Sequence, residues 1–129
     1  MRFMLLDYVN ESGWPTLSRA EQEHWLEVYK GFMRAMQDAG VLRSSGGLYP
    51  SASARKVEAK NQKPVVVDGP YAETKEQLGG FHIIEVRDAQ EAISWAQRSP
   101  TALHGTVEVR QLRDGTLLTE DLSSLLNPQ

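Results

Sequence analysis

Residues 2–9 carry apolar side chains on both faces of a predicted strand. They read Arg2-Phe3-Met4-Leu5-Leu6-Asp7-Tyr8-Val9, with apolar or aromatic residues at both odd and even positions. A strand of this composition is typical of a sheet that is buried on both sides. The rest of the chain must therefore supply a cover for each face of the sheet that contains this strand.

Capping signals predict two helices. The first, at about 19–39, begins with the capping box Ser18-Arg19-Ala20-Glu21 and ends at Gly40. The second begins with Asp88-Ala89-Gln90-Glu91 and stops before Pro100. The apolar face of the first helix consists of Trp25, Val28, Tyr29, Phe32, Met33 and Met36, which recur at steps of three and four residues.

Strand signals alternate with these helices. They lie at residues 2–9, 41–48, 53–60, 63–68, 81–86 and 106–112, and the third and fourth form a hairpin. Without that inserted hairpin the order is βαββαβ, so we expect an α+β, ferredoxin-like fold with an antiparallel sheet. Two helices cover only one face of the sheet. We expect a second copy of the chain to cover the other, giving a homodimer and a dimeric α+β barrel.

Length and composition limit the functional classes. The 129 residues fit one domain, which we place at 1–112, with an extension at 113–129 that packs on the domain or the dimer. A net charge of -3 argues against a nucleic-acid binder, and the absence of cysteine excludes thiolate chemistry and disulfides. Apolar runs are too short for a membrane helix, and Asp7 comes too early for a signal peptide. We expect a cytoplasmic protein without metal or cofactor.

One segment of the sequence resembles the signature of a known family. The stretch Asp68-Gly69-Pro70-Tyr71-Ala72-Glu73-Thr74-Lys75-Glu76-Gln77-Leu78-Gly79-Gly80-Phe81 resembles the signature of the YCII-related family in its DGPF-domain branch, with Tyr71 in place of the usual Phe. The resemblance implies a dimeric α+β barrel and no settled reaction. Wider relatives include small-molecule monooxygenases, isomerases and lyases, and DGPF domains occur beside sigma factors.

The physical character of residues 68–76, called the signature loop below, allows two interpretations. Asp68, Gly69 and Pro70 favour a rigid turn, in which Asp68 accepts amide hydrogens and Gly69 takes an unusual backbone angle. The charged residues that follow are then simply solvated. Alternatively the loop forms the mouth of a cavity, with a ligand bound by Asp68, Gly69, Pro70, Tyr71, Glu73 and Lys75.

Candidate catalytic residues come from the strands. His82 alternates with Phe81 and Ile83, so it is either a half-buried core histidine or a proton shuttle. Asp7 shares its face with Phe3 and Leu5; we expect it at a wet strand end, and the alternative is a general base facing His82 or Arg110. The remaining histidines, His24 and His104, are predicted on a helix surface and in a loop.

Two functions remain open. The first is a cofactor-independent enzyme or a binder of a small organic molecule, with Asp7, His82 and the signature loop around one cavity. The second is a non-enzymatic regulatory or protein-interaction module, linked to sigma-factor signalling. A pocket of a few hundred Å³ favours the first, and a specific protein partner favours the second. Whether the protein is an enzyme at all stays open.

Overall fold

The computed structural model describes residues 1–113, which contain six strands and two helices. These are β1 (Arg2–Val9), α1 (Arg19–Asp38), β2 (Leu42–Gly47), β3 (Arg55–Lys60), β4 (Lys63–Asp68), β5 (Gln77–Glu85), α2 (Ala89–Arg98) and β6 (Thr106–Gln111). In this part of the chain neither helix has the length and apolar character that a membrane crossing demands. The predicted extension lies outside the described residues, apart from Arg113 at its start.

Four strands form an antiparallel sheet in the order β2-β5-β1-β6. The central strand β1 pairs with β5 on one side and β6 on the other, as the split βαβ arrangement requires. Strands β3 and β4 form a separate two-stranded hairpin between β2 and β5 in the chain. The predicted α+β, ferredoxin-like class with an inserted hairpin is therefore confirmed.

The first helix is capped as predicted. The Ser18 hydroxyl accepts a hydrogen bond from the Glu21 amide, and Glu21 Oε1 accepts one from the Ser18 amide at 2.9 Å. This backbone hydrogen bond holds the pKa of Glu21 below its usual range, because it stabilises the carboxylate. The helix stops at Asp38, one residue before the predicted end, and Gly40 follows with a φ of 73°.

The second capping box is only half formed. Asp88 Oδ1 accepts from the Glu91 amide at 2.8 Å, as expected for an N-cap. The Glu91 carboxylate, however, binds Arg87, whose Nε lies 2.6 Å from Oε2. A guanidinium competes well with a backbone amide for a carboxylate, since both partners are charged. This ion pair lowers the pKa of Glu91.

The core lies between one face of the sheet and the two helices. It contains Phe3, Leu5, Phe32, Met36, Val41, Ile84, Val86, Ala92, Trp95 and Ala96. The opposite side of the sheet, called the open face, carries Met4, Leu6, Tyr8, Phe81 and Ile83, all partly buried. Both faces of β1 are apolar, as the sequence indicates, but the two helices cover only one of them.

The glycine pair Gly79-Gly80 lies inside β5, because that strand begins at Gln77 and not at Phe81 as predicted. The pairing of β1 with β5 shifts at this point, so that Asp7 faces Gly80 and Tyr8 faces Leu78. A Cβ atom on Gly80 would lie 2.9 Å from the carbonyl oxygen of Gly46 on β2. Glycine is therefore required at position 80 because the backbone of β2 approaches closely there.

Candidate functional site

Asp7 and His82 form a buried ionisable pair on the helix-covered face of the sheet. His82 lies opposite Leu5 and Asp7 opposite Gly80, so the two side chains are diagonal neighbours on β1 and β5. His82 Nε2 is 3.4 Å from Asp7 Oδ2, and each residue is 8% exposed. The expectation that Asp7 sits at a wet strand end is wrong, because Asp7 is buried and faces His82. A general-base role stays a prediction.

Helix α1 and the 3-10 turn Pro100–Leu103 surround this pair. The Phe32 ring meets the His82 ring edge-on, with centroids 5.8 Å apart. Tyr29 and Thr101 share a hydrogen bond through their hydroxyls. Burial raises the pKa of Tyr29, and the nearby charge of Asp7 raises it further, since both disfavour a phenolate.

One polar atom of each side chain in the pair lacks a hydrogen-bond partner among the described residues. Asp7 Oδ1 and His82 Nδ1 are both buried, and neither has a hydrogen-bond partner within residues 1–113. Buried polar atoms are hydrogen-bonded in the great majority of cases, and exceptions cluster where a protein does chemistry or stores strain. An aspartate and a histidine in direct contact can hold and pass a proton.

The signature loop begins with a turn of the predicted kind. Gly69 has a φ of 107°, which favours glycine, and its amide donates to the Ala54 carbonyl at 2.8 Å. Asp68 differs from prediction: its carboxylate lies 3.6 Å from Arg55 Nε across the hairpin, instead of accepting the amides of the turn. Arg55 stands directly opposite Asp68 in the register of β3 and β4, so the Asp68 carboxylate pairs with this guanidinium and not with the amides of the turn.

A groove of about 920 Å³, called the signature-loop groove below, lies between this loop, residues 48–54 and the end of the sheet. Of the six ligand residues predicted from the sequence, Pro70, Tyr71 and Lys75 line it. Asp68, Gly69 and Glu73 are outside its lining. Two further tyrosines contribute to it, Tyr8 from β1 and Tyr49 from the segment after β2.

Side-chain hydrogen bonds connect the walls of the groove. Glu11 accepts from the Ser51 amide and the Ser51 hydroxyl, both at 2.7 Å. Gln77 accepts from the Glu11 amide at 3.0 Å and donates to the Thr74 carbonyl at 2.6 Å. The Thr106 hydroxyl donates to Glu76 at 2.7 Å. These contacts join the three segments, so the groove is shaped before any ligand arrives.

The buried pair and the groove lie on opposite faces of the sheet. Tyr8 lies on the open face, where its hydroxyl donates to Glu108 Oε1 at 3.2 Å, whereas Asp7 faces the helices. The Tyr8 pKa is raised, first by burial and then by this contact. The structure therefore brings Asp7 and His82 together but separates them from the signature loop, against the expectation of one shared cavity.

Several groove residues were not predicted. Leu48, Tyr49 and Pro50 form one wall, and Glu11 and Gln77 hold the walls together. The sequence offered one signal for the first group, because a leucine and a tyrosine in a loop after Gly46-Gly47 are unusually apolar for an exposed connection. Nothing local marks Glu11 or Gln77, whose roles depend on contacts between distant segments.

The other histidines lie where the sequence places them. His24 is exposed on α1, and His104 follows the turn Pro100–Leu103; both pack edge-on against Trp25, with ring centroids 5.4 and 5.1 Å away. Within residues 1–113, no three histidine or carboxylate side chains gather in a geometry that could hold a metal ion. No described residue cluster is a candidate cofactor site of that kind.

The fold and the groove define the class as an α+β domain with a split βαβ sheet and a pocket at one sheet end. The YCII-related domain family matches residues 1–116, and the chain belongs to this family. An uncharacterised protein of Rhizobium meliloti (strain 1021) is 33% identical over 114 residues, which span 87% of this chain and 92% of that protein. The family predicted from the signature is confirmed.

One solved structure is also similar. It is the 5-chloro-2-hydroxyhydroquinone dehydrochlorinase of Burkholderia phenoliruptrix AC1100 in complex with 2,5-dihydroxybenzoquinone. The similarity covers 88% of this chain and 94% of that enzyme, at 14% identity and a TM-score of 0.49. A likeness of this size carries no argument about activity.

Proposed function

We propose that this protein binds a small organic molecule in the signature-loop groove. The observation that carries the proposal is the groove itself, whose volume of about 920 Å³ falls within the usual range for small-molecule sites. Aromatic side chains on its walls offer flat apolar surface, as such sites commonly do. The hydrogen bonds of Glu11 and Gln77 support the proposal further, because a preformed groove costs less to occupy.

A fragment screen by NMR tests this proposal. Amide signals of the 15N-labelled protein are recorded with small aromatic and oxygenated compounds, and we expect shifts at Tyr71, Thr74 and Leu78. Tyr71→Ala should weaken binding at least about fivefold, since an aromatic contact is worth about 1 kcal/mol. Leu103→Ala is the matched control, because Leu103 is 75% exposed and outside the groove. Shifts elsewhere, with none in the groove, would contradict the proposal.

An acid–base role of Asp7 and His82 remains a further proposal. It is supported by their direct contact at 3.4 Å and by the two unpartnered polar atoms. Compounds that bind in the screen are followed by NMR for conversion by the protein and by Asp7→Asn and His82→Gln. We expect the variants to lose turnover of any compound whose shifts lie near Asp7 and His82, and to leave binding in the groove unchanged, because the pair lies on the opposite face of the sheet. Equal turnover in all three proteins excludes this role.

The homodimer is also a proposal, and the open face supports it. Met4, Leu6, Phe81 and Ile83 are only partly buried there, although apolar surface of this kind is usually covered. A second sheet packed on it would complete the dimeric α+β barrel. The cytoplasmic location stays a prediction alongside it.

The regulatory alternative has one observation in its favour. Val57 and Val66 stand opposite each other on the hairpin and are each 65% exposed, which forms a small apolar patch. The alternative predicts that a pull-down with the protein recovers one specific partner and that Val66→Lys abolishes this capture. A partner retained equally by Val66→Lys would not be bound through the hairpin.

A further inference from the structure

The charged side chains around the signature-loop groove differ in whether another side chain binds them. Glu76 accepts a hydrogen bond from Thr106, and Glu11 behind the wall is held by Ser51. Lys75, by contrast, lines the groove, is exposed, and has no carboxylate partner within residues 1–113. Among the described residues that line the groove Lys75 is the one cation, so its ammonium is the group that an anionic ligand would meet.

Two exposed tyrosines form the aromatic side of the groove. Tyr49 is 87% exposed and Tyr71 is 93% exposed, and both contribute to the lining. A tyrosine ring offers an apolar face while its hydroxyl stays hydrated, so a planar ligand ring can pack against these two. Tyr8 already donates its hydroxyl hydrogen to Glu108, so it presents apolar ring surface more than a free donor.

Together these observations select one class of ligand. We propose that the signature-loop groove takes an aromatic acid, whose ring packs against Tyr49 and Tyr71 and whose anionic group meets the Lys75 ammonium. This inference rests on the proposed function and adds the chemistry of the ligand. A cationic group beside Lys75 would be repelled by the ammonium.

A pair of isosteric probes tests the charge directly. We compare 4-hydroxybenzoate with 4-hydroxybenzamide, which has the same shape and no charge, by NMR titration of the 15N-labelled protein. We expect the benzoate to bind about fivefold tighter, the value for an exposed ion pair worth about 1 kcal/mol. Raising the ionic strength from about 0.05 M to about 0.5 M should reduce this preference, because salt screens exposed charges.

Substitutions of Lys75 test whether this residue causes the preference for benzoate over benzamide. Lys75→Gln should bring the two probes to within about twofold of each other, and Lys75→Arg should retain the preference, since a cation is kept. Lys63→Gln is the matched control, because Lys63 is an exposed lysine on the hairpin outside the groove. Its preference should equal that of the unaltered protein.

The outcomes separate the two proposals. Equal binding of benzoate and benzamide in the groove overturns the aromatic-acid inference and leaves small-molecule binding intact. A preference that survives Lys75→Gln overturns the role of Lys75 and with it the inference. If neither probe shifts a groove amide while neutral compounds from the screen do, only the inference fails. If no compound of either kind shifts a groove amide, both proposals fail.

Discussion

At the scale of single residues, Asp7 and His82 depart most from ordinary packing. A carboxylate and an imidazole occupy positions on β1 and β5 where apolar side chains would complete the core. Taking such groups out of water is costly, and their mutual contact offsets only part of the cost. Two of their polar atoms stay without partners in the described chain. This cost is the physical reason to propose a role for the pair beyond stability.

Substitutions at this pair separate packing from charge. We expect Asp7→Ala to lower the free energy of unfolding by about 1–3 kcal/mol, because it leaves His82 buried without its partner. The double variant Asp7→Leu with His82→Phe should be close to the original stability or above it, since apolar groups replace a buried ionisable pair. Urea unfolding measures both. A double variant as unstable as the single one would show that the pair contributes to stability.

Tyr29 gives a pH dependence with a defined sign. Its pKa in the folded protein is raised above the ordinary 10.0. The protonated phenol therefore contributes to the free energy of unfolding below about pH 10, and this contribution is lost as pH rises through the folded pKa. Tyr29→Phe removes the ionising group. We therefore expect the urea midpoint of the original protein to fall more steeply above pH 10.0 than that of Tyr29→Phe. Tyr8, whose pKa is also raised, is present in both proteins and cancels. Parallel curves would contradict the prediction.

At the scale of elements, β5 connects the two candidate sites. Its first residues, Gln77 and Leu78, line the groove, and His82 lies four residues beyond Leu78 on the opposite face. Gly79 and Gly80 lie between them, where β1 and β5 shift register. Because side chains alternate along a strand, this irregularity determines which face each following residue joins.

Gly80 should tolerate no side chain, whereas its neighbour across the sheet should. A Cβ on Gly80 would contact the Gly46 carbonyl oxygen at 2.9 Å, but one on Gly47 would meet nothing within 4 Å. We expect Gly80→Ala to cost about 1–3 kcal/mol of unfolding free energy through overpacking. Gly47→Ala should change it by less than about 1 kcal/mol. Thermal and urea unfolding of the two variants test this contrast, and equal effects would refute the backbone-contact argument.

At the scale of the molecule, the open face is the surface on which the proposed homodimer depends. The helices cover only one side of a sheet whose central strand is apolar on both sides. Glu108 and Arg110 border this face on β6, next to Leu6 and Met4 in the register. An apolar centre with a polar margin is the usual organisation of a protein–protein interface.

Leu6→Glu tests the proposed homodimer. Leu6 lies on the open face between Phe81 and Glu108, so a carboxylate there would be buried beside a like charge in the dimer. We expect light scattering to give a dimer for the original protein and a monomer for Leu6→Glu. Leu103→Glu, at an exposed position away from the sheet, serves as control and should remain dimeric. A Leu6→Glu variant that stays dimeric would place the interface elsewhere.

Local patterns alone were enough for the element order and the core. The capping box at Ser18, the apolar repeat through Phe32 and Met36, and the alternation in β1 each depend on neighbours within a few residues. The family signature is likewise a continuous stretch, so it could also be identified from the sequence. These features predicted the ferredoxin-like fold and placed Asp7 on the same face of β1 as Phe3 and Leu5, but they did not predict that Asp7 is buried.

Tertiary structure decided everything that depends on distant segments meeting. The register of β1 against β5 alone sets the 3.4 Å contact between Asp7 and His82. The two side chains are buried only because α1 packs over them. The groove needs Glu11, Ser51 and Gln77 to meet, although they are dozens of residues apart. Local propensities carry no information about such contacts, because burial and pairing are properties of the assembled sheet and helices. The apolar first strand and the helix caps thus predicted the fold, and the packed chain determined where the two candidate sites lie.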